Sequence, residues 1–442
     1  MKRERAAAAA TSSPDLPRLS EAGFSRRRLL AGGSAAGAGG LLVGATSGAL
    51  ATGRSAAAPP LSAAASGLVP QAAAGNERLP FYGPNQPGII APAQSQYRLL
   101  AFDLAPGATR PQVGRMLSTW AQIGAAAMAG QSFSASFAQD DASALGRGPA
   151  SLTVTTGFGA SLLTRLGLPA AIPAALAPIP AFPGDRLDPA ASDGDLCVLI
   201  AGNDGIVIAH ALRAMVRAAA NVAVQRWQIP GFADSPGALP DPAATPRNLM
   251  GQLDGTNNPT PAQPGFAEKI FIGAAGQPAW LRGGSYLVVR RIRMLLDDWD
   301  QLSRARQEAV IGRRKDTGAP LSGGGEHTAP DYLAQNAAGG LVIAPDAHIR
   351  LANPAANQGA TILRRGFGYD LGVRPDGAPD AGLLFLAFQA DPATGFVPIQ
   401  QHLSGADALG EHTVHEASAL FVVPGGCEQG GYPGQGLIET PD

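Results

Sequence analysis

The sequence has few cysteines, little charge and no excess of either charge sign. Its 442 residues include two cysteines, and 33 Lys and Arg against 34 Asp and Glu give a net charge of −1. Without a basic excess, a surface that follows the phosphates of nucleic acid is not expected. The spacing of Cys197 and Cys427 fits no zinc or iron–sulfur pattern. We interpret them as two separate thiols.

Two catalytic motifs are also absent from the sequence. There is no Gly-x-Ser-x-Gly, and no histidine accompanies a serine motif, which argues against a hydrolase. There is no Cys-x-x-Cys-His either, the motif to which c-type haem is attached. A covalently attached c-type haem is therefore not expected.

The first 51 residues have the features of an export signal. Ser25-Arg26-Arg27-Arg28 precedes a Gly/Ala/Leu-rich stretch that ends at Ala49-Leu50-Ala51, a site suited to signal peptidase. The stretch is long enough for a membrane anchor, but Gly, Ser and Thr dilute it. We expect residues 1–51 to be a twin-arginine signal peptide, read by the twin-arginine translocase. The mature protein, without a stable membrane span, would reach the cell envelope, a periplasm-like space or the outside of the cell.

The remaining chain divides into an arm and two halves. Residues 52–96 are rich in Ala, Pro, Gly and Ser, which predicts a low-complexity linker or arm. Residues 97–275 show alternating strands and helices in the order of a ferredoxin-like unit. Residues 276–442 begin in a similar way, with a strand at 285–292 and a helix at 297–311. We predict an α+β fold whose two sheets pack face to face.

The hydrophobic pattern places the other elements of both halves. Strands are predicted at 97–104, 151–156, 196–201, 222–228, 341–343, 383–389 and 419–423, and helices at 110–128, 160–166 and 204–221.

Two short segments could carry chemistry. His348 lies between an apolar run and the turn at Asn353-Pro354, where a metal ligand could be held rigidly, although such a histidine is more often structural. Asp254-Gly255-Thr256-Asn257 is followed closely by Pro259, a pattern that is ordinarily just a turn. The residues alone leave both alternatives open.

Several blocks, in one order, resemble the dye-decolorising peroxidase family. Residues 251–256 resemble its Gly-x-x-Asp-Gly-Thr motif, and residues 348–354 resemble its proximal-histidine segment. Residues 362–366 resemble the segment that bears the family's distal arginine, here Arg364. The resemblance runs from residue 97 to the C-terminus. The leader suggests the exported subfamily that includes iron-deferrochelatase-like enzymes.

The resemblance implies a dimeric-type α+β barrel formed by the two ferredoxin-like units, with one non-covalent haem b per chain. His348 would be the axial iron ligand, and Asp391 is our candidate acceptor for its other ring nitrogen. Asp254 and Arg364 would lie on the opposite, distal face. The residues expected to line the haem are Gly255, Thr256, Asn257, Asn353, Pro354 and Ala355. Related sequences can carry Arg at the position of Ala355, so Arg350 or Arg313 would have to supply a cation for a haem propionate.

These residue types suit the reduction of hydrogen peroxide. An ionised Asp254 can move a proton between the two peroxide oxygens, and Arg364 keeps its charge throughout. The donors would be dyes, phenolics or another exported protein, oxidised by one-electron steps. Large donors could be reached through a relay of aromatic side chains, for which Tyr369 is the first candidate. The others are Trp227, Trp280, Trp299, Tyr286 and Tyr332.

Two alternative functions remain open from the sequence. Within the family, the chain could release iron from haem as a deferrochelatase. Outside it, a non-enzymatic haem carrier would have no need of Asp254 and Arg364 on the open face.

Changing Arg26, Arg27 and Arg28 together to lysine should block export, because the translocase reads the paired guanidinium groups. Immunoblots of cellular and exported fractions measure the effect, with Arg5→Lys as the control. Normal export of the triple variant would contradict the twin-arginine prediction.

Overall fold

The computed structural model describes residues 75–131, 141–241 and 243–439. The predicted signal peptide lies outside these residues. The strands are Gln96–Leu104 (β1), Thr153–Phe158 (β2), Leu196–Gly202 (β3), Ala223–Phe232 (β4), Ser285–Met294 (β5), Leu363–Arg364 (β6), Phe367–Val373 (β7), Pro379–Gln389 (β8) and Thr413–Val423 (β9). The helices are Arg110–Met128 (α1), Ala160–Arg165 (α2), Gly205–Ala219 (α3), Phe266–Ile270 (α4), Leu296–Gln301 (α5), Arg304–Ile311 (α6), His348–Leu351 (α7), Phe396–Ala406 (α8) and Gln435–Ile438 (α9). Among the helices in these ranges, none combines the length and apolar character needed to cross a membrane.

The strands form a closed antiparallel barrel. Their order is β5-β9-β2-β3-β1-β4-β7-β8, and β8 pairs back with β5, while β6 adds to β8. Within this ring, β4-β1-β3-β2 is the strand order of a ferredoxin-like unit, and β9-β5-β8-β7 repeats that order. The prediction of two ferredoxin-like units in an α+β barrel is therefore confirmed.

The two units are joined mainly by side chains in the barrel interior. Only one residue pair links β2 with β9, and one links β4 with β7, whereas the ladders within each unit are long. The predicted face-to-face packing is correct. The residues that meet between the sheets are almost fully buried and include Leu99, Leu199, Leu287, Leu386, Phe388 and Phe421.

Local sequence signals begin the two long helices on the outside of the first unit. Gln112 accepts a hydrogen bond from the backbone of Thr109 at 2.7 Å, which closes the N-terminus of α1. The carboxylate of Asp204 accepts from the Ile206 amide at 2.7 Å and starts α3. The buried Trp120 indole donates to Met215 O at 2.8 Å and fastens the two helices together.

Two predicted elements of the second unit are wrong. The helix predicted at 297–311 is two helices, because Leu302 is extended and the Ser303 hydroxyl accepts from Arg306 N to begin α6. The strand predicted at 341–343 is an irregular segment in which Leu341 forms a single bridge with Gln335. So short an apolar run fits a strand or a buried loop equally well, and here it buries Ile343.

Residues 75–95 of the predicted arm lie against the barrel. Gln86 is 2% exposed, and its side-chain amide donates to Thr156 O and accepts from Thr156 N at 2.9 and 2.8 Å. Thr156 belongs to β2, which shares only one pair with β9. The Gln86 side chain therefore pairs with backbone groups of β2 that no neighbouring strand pairs with.

Leu199→Ala should destabilise the protein by about 2–5 kcal/mol, because Leu199 is 2% exposed between the two sheets. Leu145→Ala, at a leucine that is 75% exposed, is the matched control and should change little. Chemical denaturation measures both. Equal effects would contradict the position of the core.

Candidate active site

Asp254 is presented by a tight hairpin that precedes α4. The backbone N–H of Asp254 donates to Pro246 O at 2.9 Å, and Arg247 pairs with Leu253 across the hairpin. Gly255 follows with φ of 142°, a conformation that side-chain-bearing residues rarely adopt. The chain therefore turns sharply just after the carboxylate and fixes where it points.

Arg364 meets this carboxylate from β6. Its Nη1 lies 2.7 Å from Asp254 Oδ1. Beside the ion pair, the Asn258 amide donates to Arg364 O at 2.6 Å and accepts from Arg364 N at 2.9 Å. The structure therefore brings together the two residues predicted for the distal face. Asn258 and Asn248, whose amide lies 3.3 Å from Asp254 Oδ2, were not predicted.

The electrostatics of the pair favour an ionised Asp254. Burial by itself would raise the pKa of this carboxyl, but the charge and hydrogen bond of Arg364 outweigh it. The Asn248 hydrogen bond and the charge of His348 act in the same direction, so the pKa of Asp254 lies below its ordinary value. Asp254 is therefore able to accept a proton at neutral pH.

His348 is the first residue of α7, and its Nδ1 lies 2.7 Å from Asp407 Oδ2. Burial would lower the pKa of this imidazole, but the charge and hydrogen bond of Asp407 raise it above the ordinary value. Asp407 is itself held, because its Oδ1 accepts from Leu409 N at 2.9 Å. With Nδ1 engaged as the donor, Nε2 is the ring nitrogen left for a metal.

The prediction that Asp391 accepts the hydrogen bond of His348 is wrong. The Asp391 carboxylate accepts from Ala393 N at 2.8 Å, in the turn between β8 and α8. Asp407 lies at the opposite end of α8, and Ala408 N donates to Asp346 O at 3.0 Å to hold this end beside α7. No local pattern in the sequence links His348 with a residue 59 positions away.

The three predicted chemical groups interact electrostatically. The charges of Arg364 and Asp254 both act on the pKa of His348. Burial strongly affects His348 and Asp254, yet their side chains remain 31% and 24% exposed. Both side chains are therefore partly buried and still reach solvent. An imidazole nitrogen, together with a carboxylate and a guanidinium, is a donor set that fits haem.

The residues predicted to line the haem differ in their surroundings. The Thr256 hydroxyl donates to Glu326 at 2.9 Å, and Asn353 accepts from Ala356 N at 3.0 Å at the start of a short 3₁₀ turn. Gly255 and Pro354 are half-buried, whereas Asn257 and Ala355 are exposed. Their contact with a haem stays a prediction.

Both arginines considered for a propionate are engaged with backbone carbonyls. Arg350 Nη2 donates to Tyr332 O and Ile343 O, each at 2.6 Å. Arg313 Nη1 donates to Gly318 O and Glu326 O, each at 2.7 Å. These bonds hold the loop that joins α6 and α7.

The candidate relay residues are mostly buried. Tyr369 is 0% exposed, and the Arg291 guanidinium lies 5.1 Å from its ring centre. The Tyr332 hydroxyl donates at 2.9 Å to the carbonyl of Ile349, the residue after His348. The role of these side chains in electron transfer stays a prediction.

Comparison with known families identifies this architecture. The model for the N-terminal part of Dyp-type peroxidases matches residues 86–233, and the model for the C-terminal part matches residues 245–428. The chain therefore belongs to the Dyp-type peroxidase family. It is 45% identical to a dye-decolorizing peroxidase of Thermobifida fusca, over 80% of this chain and 84% of that protein.

Two other relatives bear on the chemistry. A deferrochelatase of Escherichia coli K12 is 36% identical, over 83% of this chain and 88% of that protein. Among solved structures, ferric DtpA from Streptomyces lividans is 48% identical with a TM-score of 0.81, over 84% of this chain and all of that chain. The family is thus shared by relatives named for two different reactions.

Arg364→Leu should destabilise the protein at neutral pH by about 1–3 kcal/mol, since it leaves a partly buried carboxylate without its cationic partner. In the parent, the depressed pKa of Asp254 contributes stability above about pH 4 that is lost as the pH falls through the folded pKa. In Arg364→Leu, no cation offsets the effect of burial on Asp254. The loss of stability therefore disappears when the Asp254 carboxyl is protonated. The difference from the parent should therefore shrink on acidification.

Chemical denaturation at neutral pH and near pH 4 measures this difference. Asp254→Asn combined with Arg364→Leu is the control, because it removes the titrating group. A penalty for Arg364→Leu that does not change with pH would contradict the ion pair.

Proposed function

We propose that this peroxidase uses hydrogen peroxide to oxidise dyes, phenolics or another exported donor by one-electron steps, with one non-covalently bound haem b per chain. The observation that carries the proposal is the Asp254–Arg364 ion pair, whose charges act on the pKa of His348. His348 is itself oriented by Asp407, at an Nδ1–Oδ2 distance of 2.7 Å. A haem carrier would have no use for a proton-accepting carboxylate and a fixed cation at this place.

On the proximal side, His348 Nε2 would hold the haem iron. When bound, haem supplies the redox chemistry that accepts electrons from the donor and passes them to peroxide. Asp407 fixes the ring orientation of His348 and makes its imidazole a stronger electron donor through the Nδ1 hydrogen bond. An electron-rich axial ligand favours cleavage of an oxygen–oxygen bond.

On the distal side, Asp254 and Arg364 divide two tasks. The Asp254 carboxylate takes the proton of peroxide from one oxygen and returns it to the other, which then leaves as water. Arg364 cannot lose its charge, so it stabilises the negative charge that develops on the leaving oxygen. Arg364 also keeps Asp254 ionised, as its 2.7 Å contact and the lowered pKa of Asp254 indicate.

Asp254→Asn should slow the reaction with peroxide by about 10²–10⁴-fold, because the amide keeps the shape but cannot accept the proton. Arg364→Leu should slow the same step by about 10²–10³-fold. The measurement is stopped-flow mixing with peroxide while the Soret band is followed across pH. If both variants react as fast as the parent at every pH, the distal assignment is wrong.

Asp407→Asn should raise the reduction potential of the haem iron, because a neutral amide donates less charge to the imidazole than a carboxylate does. Asp391→Asn is the matched control and should leave the potential unchanged, since Asp391 bonds within its own turn. Spectroelectrochemical titration measures both. A shift in the control alone would restore Asp391 as the partner of His348.

Iron release from haem is the second candidate, supported by the 36% identity with the E. coli deferrochelatase. The two functions differ in their products. Peroxidation yields an oxidised donor and intact haem, whereas iron release yields a free porphyrin that fluoresces. Accumulation of porphyrin during turnover, without oxidised donor, would favour iron release.

Export through the twin-arginine translocase completes the proposal. Arg26 and Arg27, followed by the weakly apolar stretch to Ala51, support it. A protein translocated in the folded state can carry its haem across the membrane. The enzyme would then act in the cell envelope, a periplasm-like space or outside the cell.

A further inference from the structure

Glu326 lies outside the residues assigned above, yet it contacts the hairpin that carries Asp254. Its Oε1 accepts hydrogen bonds from the Thr245 hydroxyl at 2.5 Å and from the Thr256 hydroxyl at 2.9 Å. These two threonines are the two ends of the hairpin. One carboxylate oxygen therefore closes the hairpin at its base.

The two threonines flank Asp254 on both sides of the chain. Thr256 follows it by two residues, through Gly255. Thr245 precedes Pro246, whose carbonyl accepts the backbone N–H of Asp254 at 2.9 Å. At Gly255, a Cβ atom would lie 3.4 Å from the Thr245 methyl carbon, so the two ends pass close together. A displacement of either threonine would move the backbone of Asp254.

Glu326 is itself held firmly. Arg313 donates to the Glu326 carbonyl at 2.7 Å, and Arg313 also pairs with Pro320. Burial would raise the pKa of the Glu326 carboxyl, but the two threonine hydrogen bonds and the charges of His327 and Arg313 lower it. Hydrogen bonds to an ionised acceptor are stronger than those between neutral groups.

Beyond Thr256, the chain is held by a different contact. Asn258 is tied to the backbone of Arg364 by two hydrogen bonds, of 2.6 and 2.9 Å. The segment that carries Asp254 is thus bound at two places: to Arg364 on β6 and to Glu326 on the α6–α7 loop. The Glu326 contacts act on the same segment whose carboxylate lies 2.7 Å from the Arg364 guanidinium.

We infer that Glu326 is a positioning residue, which clamps Thr245 and Thr256 and thereby holds Asp254 opposite Arg364. The inference rests on the proposed role of Asp254 in the reaction with peroxide. Glu326 takes no part in the proton transfer and acts through the backbone of the hairpin.

The test compares Glu326→Ala with Glu326→Gln in the haem-loaded enzyme. The alanine variant should exchange amide hydrogens faster in residues 245–258, with the rest of the barrel unchanged. Its reaction with peroxide should slow by about ten- to hundredfold, the effect of a misplaced catalytic group. The later oxidation of the donor should keep its rate. The glutamine variant retains an acceptor oxygen but loses the charge that strengthens both hydrogen bonds, so it should be closer to the parent than the alanine variant is.

Glu308→Gln is the matched control, because Glu308 is a buried carboxylate of the same unit that binds Arg304 and Arg314 instead. It should leave the peroxide step unchanged. If Glu326→Ala does not fold, Thr256→Val removes one of the two donors and should slow the same step to a smaller extent.

The inference is wrong if Glu326→Ala exchanges its amide hydrogens and reacts with peroxide at the same rates as the parent. An equal loss in Glu326→Ala and Glu326→Gln would overturn it as well, because the acceptor would then not matter. Failure of the proposed function is distinguishable. In that case Asp254→Asn reacts with peroxide like the parent. Faster amide hydrogen exchange of residues 245–258 in Glu326→Ala would still show that Glu326 holds the hairpin.

Discussion

The carboxylate of Asp254 is partly buried, and the guanidinium of Arg364 stabilises its ionised form. The two atoms in contact, 2.7 Å apart, belong to residues 110 positions apart in the chain. The contact therefore exists only when the hairpin before α4 and strand β6 are both in place. Proton transfer, charge stabilisation and the lowered pKa of Asp254 all depend on it.

The barrel holds strand β6 and the elements around it in position. β6 is only two residues long and is held by β8, which also pairs with β5 and β7. On the proximal side, the end of α8 brings Asp407 to His348 by a similar long-range contact. Each chemical group is thus oriented by a charged neighbour from a distant part of the chain. The first unit and its docked arm close the barrel against which these elements pack.

Much of this was predictable from the sequence. Helix α1 matches its predicted range of 110–128, since its apolar spacing is regular over five turns. The position of Asp254 and Arg364 on one face was implied by two motifs that each occupy consecutive residues. Elements such as β7 and α8 were missed, because β7 is largely exposed and α8 follows a polar turn, so neither has a clear periodic pattern.

The partner of His348 could not be found by the same reasoning. Asp391 follows a strand, a common position for a functional carboxylate, whereas Asp407 follows a helix and resembles an ordinary cap. Only the packing of α7 against the end of α8 shows that Asp407, and not Asp391, is the partner of His348. Glu326 was overlooked for the same reason, since its threonine partners are 81 and 70 residues away.

The central claim is that His348 holds a haem, on which Asp254 and Arg364 act from the distal side. The absorption spectrum of the purified protein, compared with that of His348→Ala, tests it most directly. The account predicts a Soret band in the parent that shifts on addition of peroxide, and a folded variant with little or no bound haem. A full Soret band with unchanged iron coordination in the variant would contradict the account.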